Sequence, residues 1–155
     1  MGNVLQRVAD IIIEAAGWHN IEPKDGVFHF EIGELPSIDL FSPDMRTAIL
    51  RSEIAPLPSS EIEAIDEIKR MAKIVVGAIK SRSSILSLEN GKFYLHKKFL
   101  INEQSIFIPP SPIPQLMADF MNDLEWWLIQ SNNDQIKQVS SPFSMHGFDS
   151  FLHMN

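Results

Sequence analysis

The stretch SILSLENGKFYLHKKFLI, residues 84–101, constrains the fold more than any other. Asn90-Gly91 is the favoured pair for a two-residue hairpin turn, because both central positions of that turn need a positive φ that these two residues accept. Leu86 and Leu88 precede the turn, and Phe93, Leu95 and Phe99 follow it on one face. Two antiparallel strands with one apolar face cannot stand alone in water, so the remainder of the chain must cover that face. It carries enough apolar material to do so: 45% of the 155 residues are hydrophobic, near the common size of one domain.

The covering elements are legible from periodicity. Val4, Leu5, Val8, Ile11, Ile12, Ala15 and Ala16 recur at helical spacing over residues 3–16, and Gly17 is placed to stop that helix. The run Val27 to Ile32 alternates, with Phe28, Phe30 and Ile32 on one side and Val27, His29 and Glu31 on the other. Short strands follow around Ser37 to Phe41 and Arg46 to Ile54, which predicts an antiparallel meander. Ser60 and Glu63 form a capping box ahead of a helix expected over 61–80. Its apolar positions, among them Ile65, Ile68, Met71, Ala72, Val75, Val76 and Ile79, cover nearly half the circumference, which predicts packing on two sides. The prolines of IPPSPIPQ end the hairpin, and Pro114 suits the first turn of a last helix expected to reach about Gln130.

The predicted fold class is α+β: helix, three strands, helix, two-stranded hairpin, helix, with a twisted antiparallel sheet and packed helices. Residues 1–130 form the domain and residues 131–155 a C-terminal tail. In that tail Phe143, Met145, Phe148, Phe151 and Leu152 punctuate a polar stretch, and Phe148, Phe151 and Leu152 have the spacing of a docking helix. On the last helix Trp127 joins the apolar side with Leu116, Met117, Phe120 and Leu124. The adjacent Trp126 falls nearly opposite, because neighbouring helical residues point about 100° apart. Trp126 is therefore packed on a neighbouring loop, covered by the tail, or a candidate interface residue.

Composition narrows the chemistry. Thirteen basic and twenty acidic residues leave a formal net charge of −7, so attraction to phosphate or anionic lipid is not the expected driving force. Cysteine is absent, which removes disulfides, thiolate zinc sites and cysteine nucleophiles together. His19, His29, His96, His146 and His153 have no metal-ligand spacing, and His29 and His96 read as solvated or locally hydrogen-bonded strand residues. GAIKSRSS lacks the glycine that a phosphate loop requires before Lys80. Glu61, Glu63, Asp66 and Glu67 sit where a helix dipole already favours acids. Gln6 stands where a myristoylation motif needs Ser or Thr, and no apolar stretch approaches the ~20 residues of a membrane span. The expectation is a protein-binding domain with no catalytic residues, no metal and no cofactor.

The amphipathic opening VLQRVADIIIEAAG, the alternating VFHFEI, the hairpin SILSLENGKFYLHKKFL and the closing helix LMADFMNDLEWWLIQ together resemble the class I type III secretion chaperones, over about residues 3–130. The resemblance implies a homodimer in the bacterial cytoplasm built largely through the second helix, with Met71, Ala72, Val75 and Ile79 as dimer contacts. It also implies that the non-globular N-terminal segment of a secreted effector wraps around the dimer without nucleotide, keeping the effector competent for export. Matching positions for effector contact are Val8, Ile12, Phe28, Phe30, Ile32, Ile38 and Leu40, some of which must be core instead. Two alternatives remain: a domain of similar architecture that serves a signalling or regulatory partner, and a small enzyme with dispersed site residues. A deep pocket with convergent polar groups marks the enzyme; a shallow apolar groove with exposed edge strands marks the binder.

Overall fold

The computed structural model describes residues 3–140. Helix α1 spans Val4–Ala16, strands β1 to β3 span Phe28–Phe30, Ile38–Phe41 and Thr47–Pro56, and helix α2 spans Glu61–Ala78. Strands β4 (Ile85–Glu89) and β5 (Lys92–Leu100) follow, then a single helical turn α3 (Glu103–Ile106) and the long helix α4 (Ile113–Ser140). The five strands form one antiparallel sheet in the order β1-β2-β3-β5-β4. The expected meander and hairpin are both present. What the sequence left open is that the hairpin inserts β5, not β4, beside β3.

Local chemistry sets most element ends. The Asn3 Oδ1 accepts from the Leu5 and Gln6 amides at 3.0 and 3.2 Å, satisfying two donors that an α-helix leaves free at its start. At the other end of α1, Gly17 takes φ 72°, and the Trp18 amide donates to the Ile13 carbonyl at 3.0 Å. The Ser60 Oγ accepts from the Glu63 amide at the start of α2. Asn90 and Gly91 have φ of 51° and 75° between the paired residues Glu89 and Lys92, the two-residue turn expected there. Strand boundaries differ from expectation by a few residues: β1 is confined to Phe28–Phe30, and β3 runs on to Pro56 through a register shift between Glu53 and Ala55.

One face of the sheet is buried. Phe28 and Phe30, Ile38 and Leu40, Ala48, Leu50 and Ile54, and Phe93 and Leu95 all point to it, and α1 and α4 pack over it with Leu5, Val8, Ile12, Met117, Phe120, Leu124 and Trp127. Ser52, buried on the same face, donates its hydroxyl to the Ser37 carbonyl at 2.9 Å, so its polar group is not orphaned.

Helix α4 is longer than expected. It passes Gln130 and continues to Ser140, since residues 131–140 contain neither proline nor glycine and Ser131 is itself buried. Ten residues assigned to a tail thus prolong the last helix, and the docking pattern expected at Phe148, Phe151 and Leu152 lies outside the described residues. Helix α2 differs as well. Only Met71 and Ala78 of its residues are buried, so one side packs on the protomer and the second expected packing side faces solvent.

Phe30 has no exposed surface and packs against Trp18, just beyond the end of α1. Phe30→Ala should cost about 3–5 kcal/mol through lost burial and an unfilled cavity, read as a shift of the urea midpoint at unchanged slope.

Candidate functional site

Two stretches of apolar surface outside the core stand out. The first is the outer side of α2, where Ile62, Ile65, Ile68, Val76 and Ile79 are 74, 46, 39, 74 and 70% exposed. Ile65, Ile68, Ala72, Val75 and Ile79 follow one another at alternating three- and four-residue steps, the spacing with which one helix meets another. Met71 does not belong to this seam. It is 1% exposed and turned into the protomer, so of the four expected dimer contacts only Ala72, Val75 and Ile79 face outward to any degree.

The second place is beside β1, which ends the sheet and pairs on one side only. Next to it opens a cleft of 510 Å³ lined by Gly17, Trp18, His19, Asn20, Ile21, His29 and Glu31. Trp18 forms its wall because the left-handed turn at Gly17 ends α1 and throws the next residue against Phe30, with ring centroids 5.8 Å apart. Half-buried Ile32 and Leu35 continue this edge after β1.

The expected effector contacts divide sharply. Val8, Ile12, Phe28, Phe30, Ile38 and Leu40 are each at most 2% exposed, so six of the seven are core with no area to offer a partner. The alternation that picked them out is the signal of an inward face, and inward here means the protomer's own interior. Ile32 alone keeps exposed surface. Trp18, Ile21 and Leu35 were missed because they lie between periodic elements, where apolar spacing carries no signal.

Trp126 has a partner within the protomer. The Arg82 guanidinium lies 4.8 Å from its ring centroid, and Trp127 meets it edge-on with centroids 5.3 Å apart. Arg82 also donates to Asp123 at 3.3 Å, and Asp123 accepts from the Ser84 amide and hydroxyl at 3.1 and 2.7 Å. This carboxylate, buried on α4, ties down the connector between α2 and β4, and Trp126 covers the arginine. A cleft of 420 Å³ lies alongside, lined by residues that include Val75, Ile79, Arg82, Ile85 and Trp127.

The outward face of the sheet is polar. The pairings His29 with Asp39, Asp39 with Arg51, and Arg51 with His96 form a row across β1, β2, β3 and β5. The groups pair with one another: His29 Nδ1 lies 2.6 Å from Asp39 Oδ1, Arg51 forms an ion pair with Glu89 at 3.5 Å while stacking on Tyr94, and Lys92 reaches Glu53 at 3.4 Å. An open 430 Å³ cleft there is lined by Asp39, Arg51, Glu53 and Tyr94, among others, and these charges are turned to one another. At the tip of the β2–β3 hairpin, the Arg46 and Thr47 amides hold the Asp44 carboxyl below its ordinary range. Among the described residues no group of three or more His, Cys, Asp or Glu could hold a metal ion, and no helix is long and apolar enough to cross a membrane.

His96 stands at the β5 end of this row. Burial holds it below its ordinary value of 6.5, with Lys98 and Arg51 adding to the effect and Glu89 opposing it. Between the lowered native value and 6.5 the unfolded chain binds the extra proton. The stabilisation is therefore complete above 6.5 and declines as pH falls below it. His96→Gln should lose less stability than the parent between about pH 7.5 and about pH 5.5 in paired urea melts.

No family model matches the chain, and no curated protein matches it. Solved structures do. A chain of the HopA1–SchA chaperone–effector complex aligns over 81% of this chain and 93% of its own length, with TM-score 0.55 and 14% identity. A chain from the complex of the Yersinia pestis type III secretion chaperone SycH with a stable fragment of YscM2 aligns over 81% and 98%, with TM-score 0.56 and 12% identity. YbjN from E. coli, a candidate transcription regulator, aligns over 83% and 92%, with TM-score 0.51 and 11% identity. The chain thus shares its α+β fold with a chain of a chaperone–effector complex, a chain of a type III secretion chaperone complex and YbjN.

Proposed function

We propose that this protein is a type III secretion chaperone that acts as a homodimer in the bacterial cytoplasm. It binds the non-globular N-terminal segment of an effector and keeps it export-competent without nucleotide. The observation that carries the reading is the pairing of an open sheet edge with an apolar cleft. An extended segment can hydrogen-bond to β1 while one of its apolar side chains enters beside Trp18 and Ile21. A disordered partner suits such a surface, because its ordering cost is offset by apolar burial along a long contact.

The contact set differs from the one the resemblance implied. Ile32, Trp18, Ile21 and Leu35 take the place of the six core residues, and Ile65, Ile68 and Val76 join Ala72, Val75 and Ile79 on the dimer surface. Likeness to YbjN supports a second reading, a regulatory protein-binding domain outside secretion. The two readings differ in the ligand: a chaperone captures an effector's N-terminal segment in non-globular form, whereas a regulatory domain binds a folded partner.

Light scattering on a size-exclusion column, alone and after co-expression with an effector's N-terminal segment, tests the function. A particle near twice 17.6 kDa that retains the segment without nucleotide supports it, and a monomer that retains nothing overturns it. Ile79 is 70% exposed, so Ile79→Glu should leave the fold intact and shift the particle to the monomer mass. Ile32→Asp should weaken segment binding at least about tenfold while the dimer persists, the scale expected when one apolar anchor is lost.

A further inference from the structure

The 420 Å³ cleft beside the end of α2 is not purely apolar. Ile79, Ile85 and Leu86 form apolar walls, and Arg82, Ser83 and Trp127 add hydrogen-bond donors. The Trp127 indole N–H and the Arg82 Nε–H are both buried without an acceptor among the described residues. Buried donors in this state carry a desolvation cost, which an acceptor brought by another segment removes. Cations stand close by: Arg82 itself, and Lys97, whose Nζ donates to the Ser83 Oγ at 2.7 Å. The Asp123 carboxylate faces the same guanidinium, but the Ser84 amide and hydroxyl share its charge. The cleft therefore suits a segment with apolar side chains on either side of an acidic acceptor.

The chain contains such a segment. Residues 141–155 read SPFSMHGFDSFLHMN and hold a single acid, Asp149, flanked by Phe148, Phe151 and Leu152. Chain length places it within reach. Ser140 ends α4 thirteen positions after Trp127, about 20 Å along a helix axis. Pro142 lacks the amide that a further turn would need, and the seven residues Ser141 to Gly147 span up to about 23 Å when extended. A chain that reverses after Ser140 thus returns Phe148 to the level of Trp127. The other apolar surfaces repel Asp149: the cleft beside β1 is lined by Glu31 and by no lysine or arginine among the described residues, and the start of α2 carries Glu61, Glu63, Asp66 and Glu67.

We infer that residues 148–152 dock in this cleft of their own chain, with the Asp149 carboxylate accepting from Arg82 and Trp127 and with Phe148, Phe151 and Leu152 against Ile79, Ile85 and Leu86. The tail then meets the border of the α2 seam and leaves the β1 edge free. The inference does not depend on the chaperone reading, which stands whether or not the tail contact is overturned.

The native chain has no cysteine, so pairs of introduced cysteines report proximity in the full-length protein. Ser83→Cys combined with Ser150→Cys should form an intrachain link with a short bismaleimide, read as a shifted monomer band and as joined peptides by mass spectrometry. Glu31→Cys combined with Ser150→Cys, the control at the β1 edge, should link at least about tenfold more slowly. Adding Asp149→Lys or Phe151→Ser to the first pair should slow its reaction at least about tenfold as well. Both substitutions lie beyond α4, so neither disturbs the packed core. Links formed only between chains, equal rates for the two cysteine pairs, or a rate indifferent to Phe151→Ser each overturn the docking; a rate indifferent to Asp149→Lys overturns the part given to the acid.

Discussion

Strands β3 and β5 pair at the centre of the sheet, joining Thr47 to Leu100 at one end and Pro56 to Lys92 at the other, and the whole of α2 lies in the loop they close. Bringing such distant segments together carries a loop-closure cost that local hairpins avoid. The return is a continuous apolar floor: Ala48, Leu50 and Ile54 from one strand and Phe93 and Leu95 from the other. α4 rests on that floor, α1 packs against α4, and β1 and β2 extend it with Phe28, Phe30, Ile38 and Leu40. Without this central pair neither long helix has anything to cover.

The same pairing leaves α2 in an exposed position. A helix that links two strands of one sheet is held at its ends, and here only Met71 and Ala78 along its length are buried. The C-terminal end is secured by polar contacts, with Asp123 receiving donors from Arg82 and Ser84 and Trp126 covering the guanidinium. A carboxylate this buried is tolerable because its bonds come from a cation, an amide and a hydroxyl together. The remainder of α2 presents aliphatic side chains to water, an arrangement with a solvation cost that association with another surface removes.

The two faces of the sheet divide the work. The inward face has lost its capacity for recognition by being packed, and the outward face is occupied by mutually paired charges around Asp39, Arg51 and Glu89. The surfaces left uncommitted lie at the margins: the open edge of β1 with Trp18, and the outer seam of α2.

Much of this was legible from local chemistry. Asn90-Gly91 places φ-positive residues at a two-residue turn, Gly17 ends α1, Ser60 begins α2, and strand alternation separates Leu50 from Arg51; each depends on a few neighbouring residues. The sequence by itself therefore determined the elements other than the short turn α3, their order and the α+β class. It could not tell a face buried within one chain from a face buried between chains, since both require the same aliphatic side chains at the same spacing. That is why Phe28, Phe30, Ile38 and Leu40 resembled partner contacts, and why Met71 was grouped with Ile79. Only the tertiary structure decided which faces are packed within the chain, through the long-range pairing of β3 with β5, which commits α1 and α4 to the inner face and leaves the outer side of α2 uncovered.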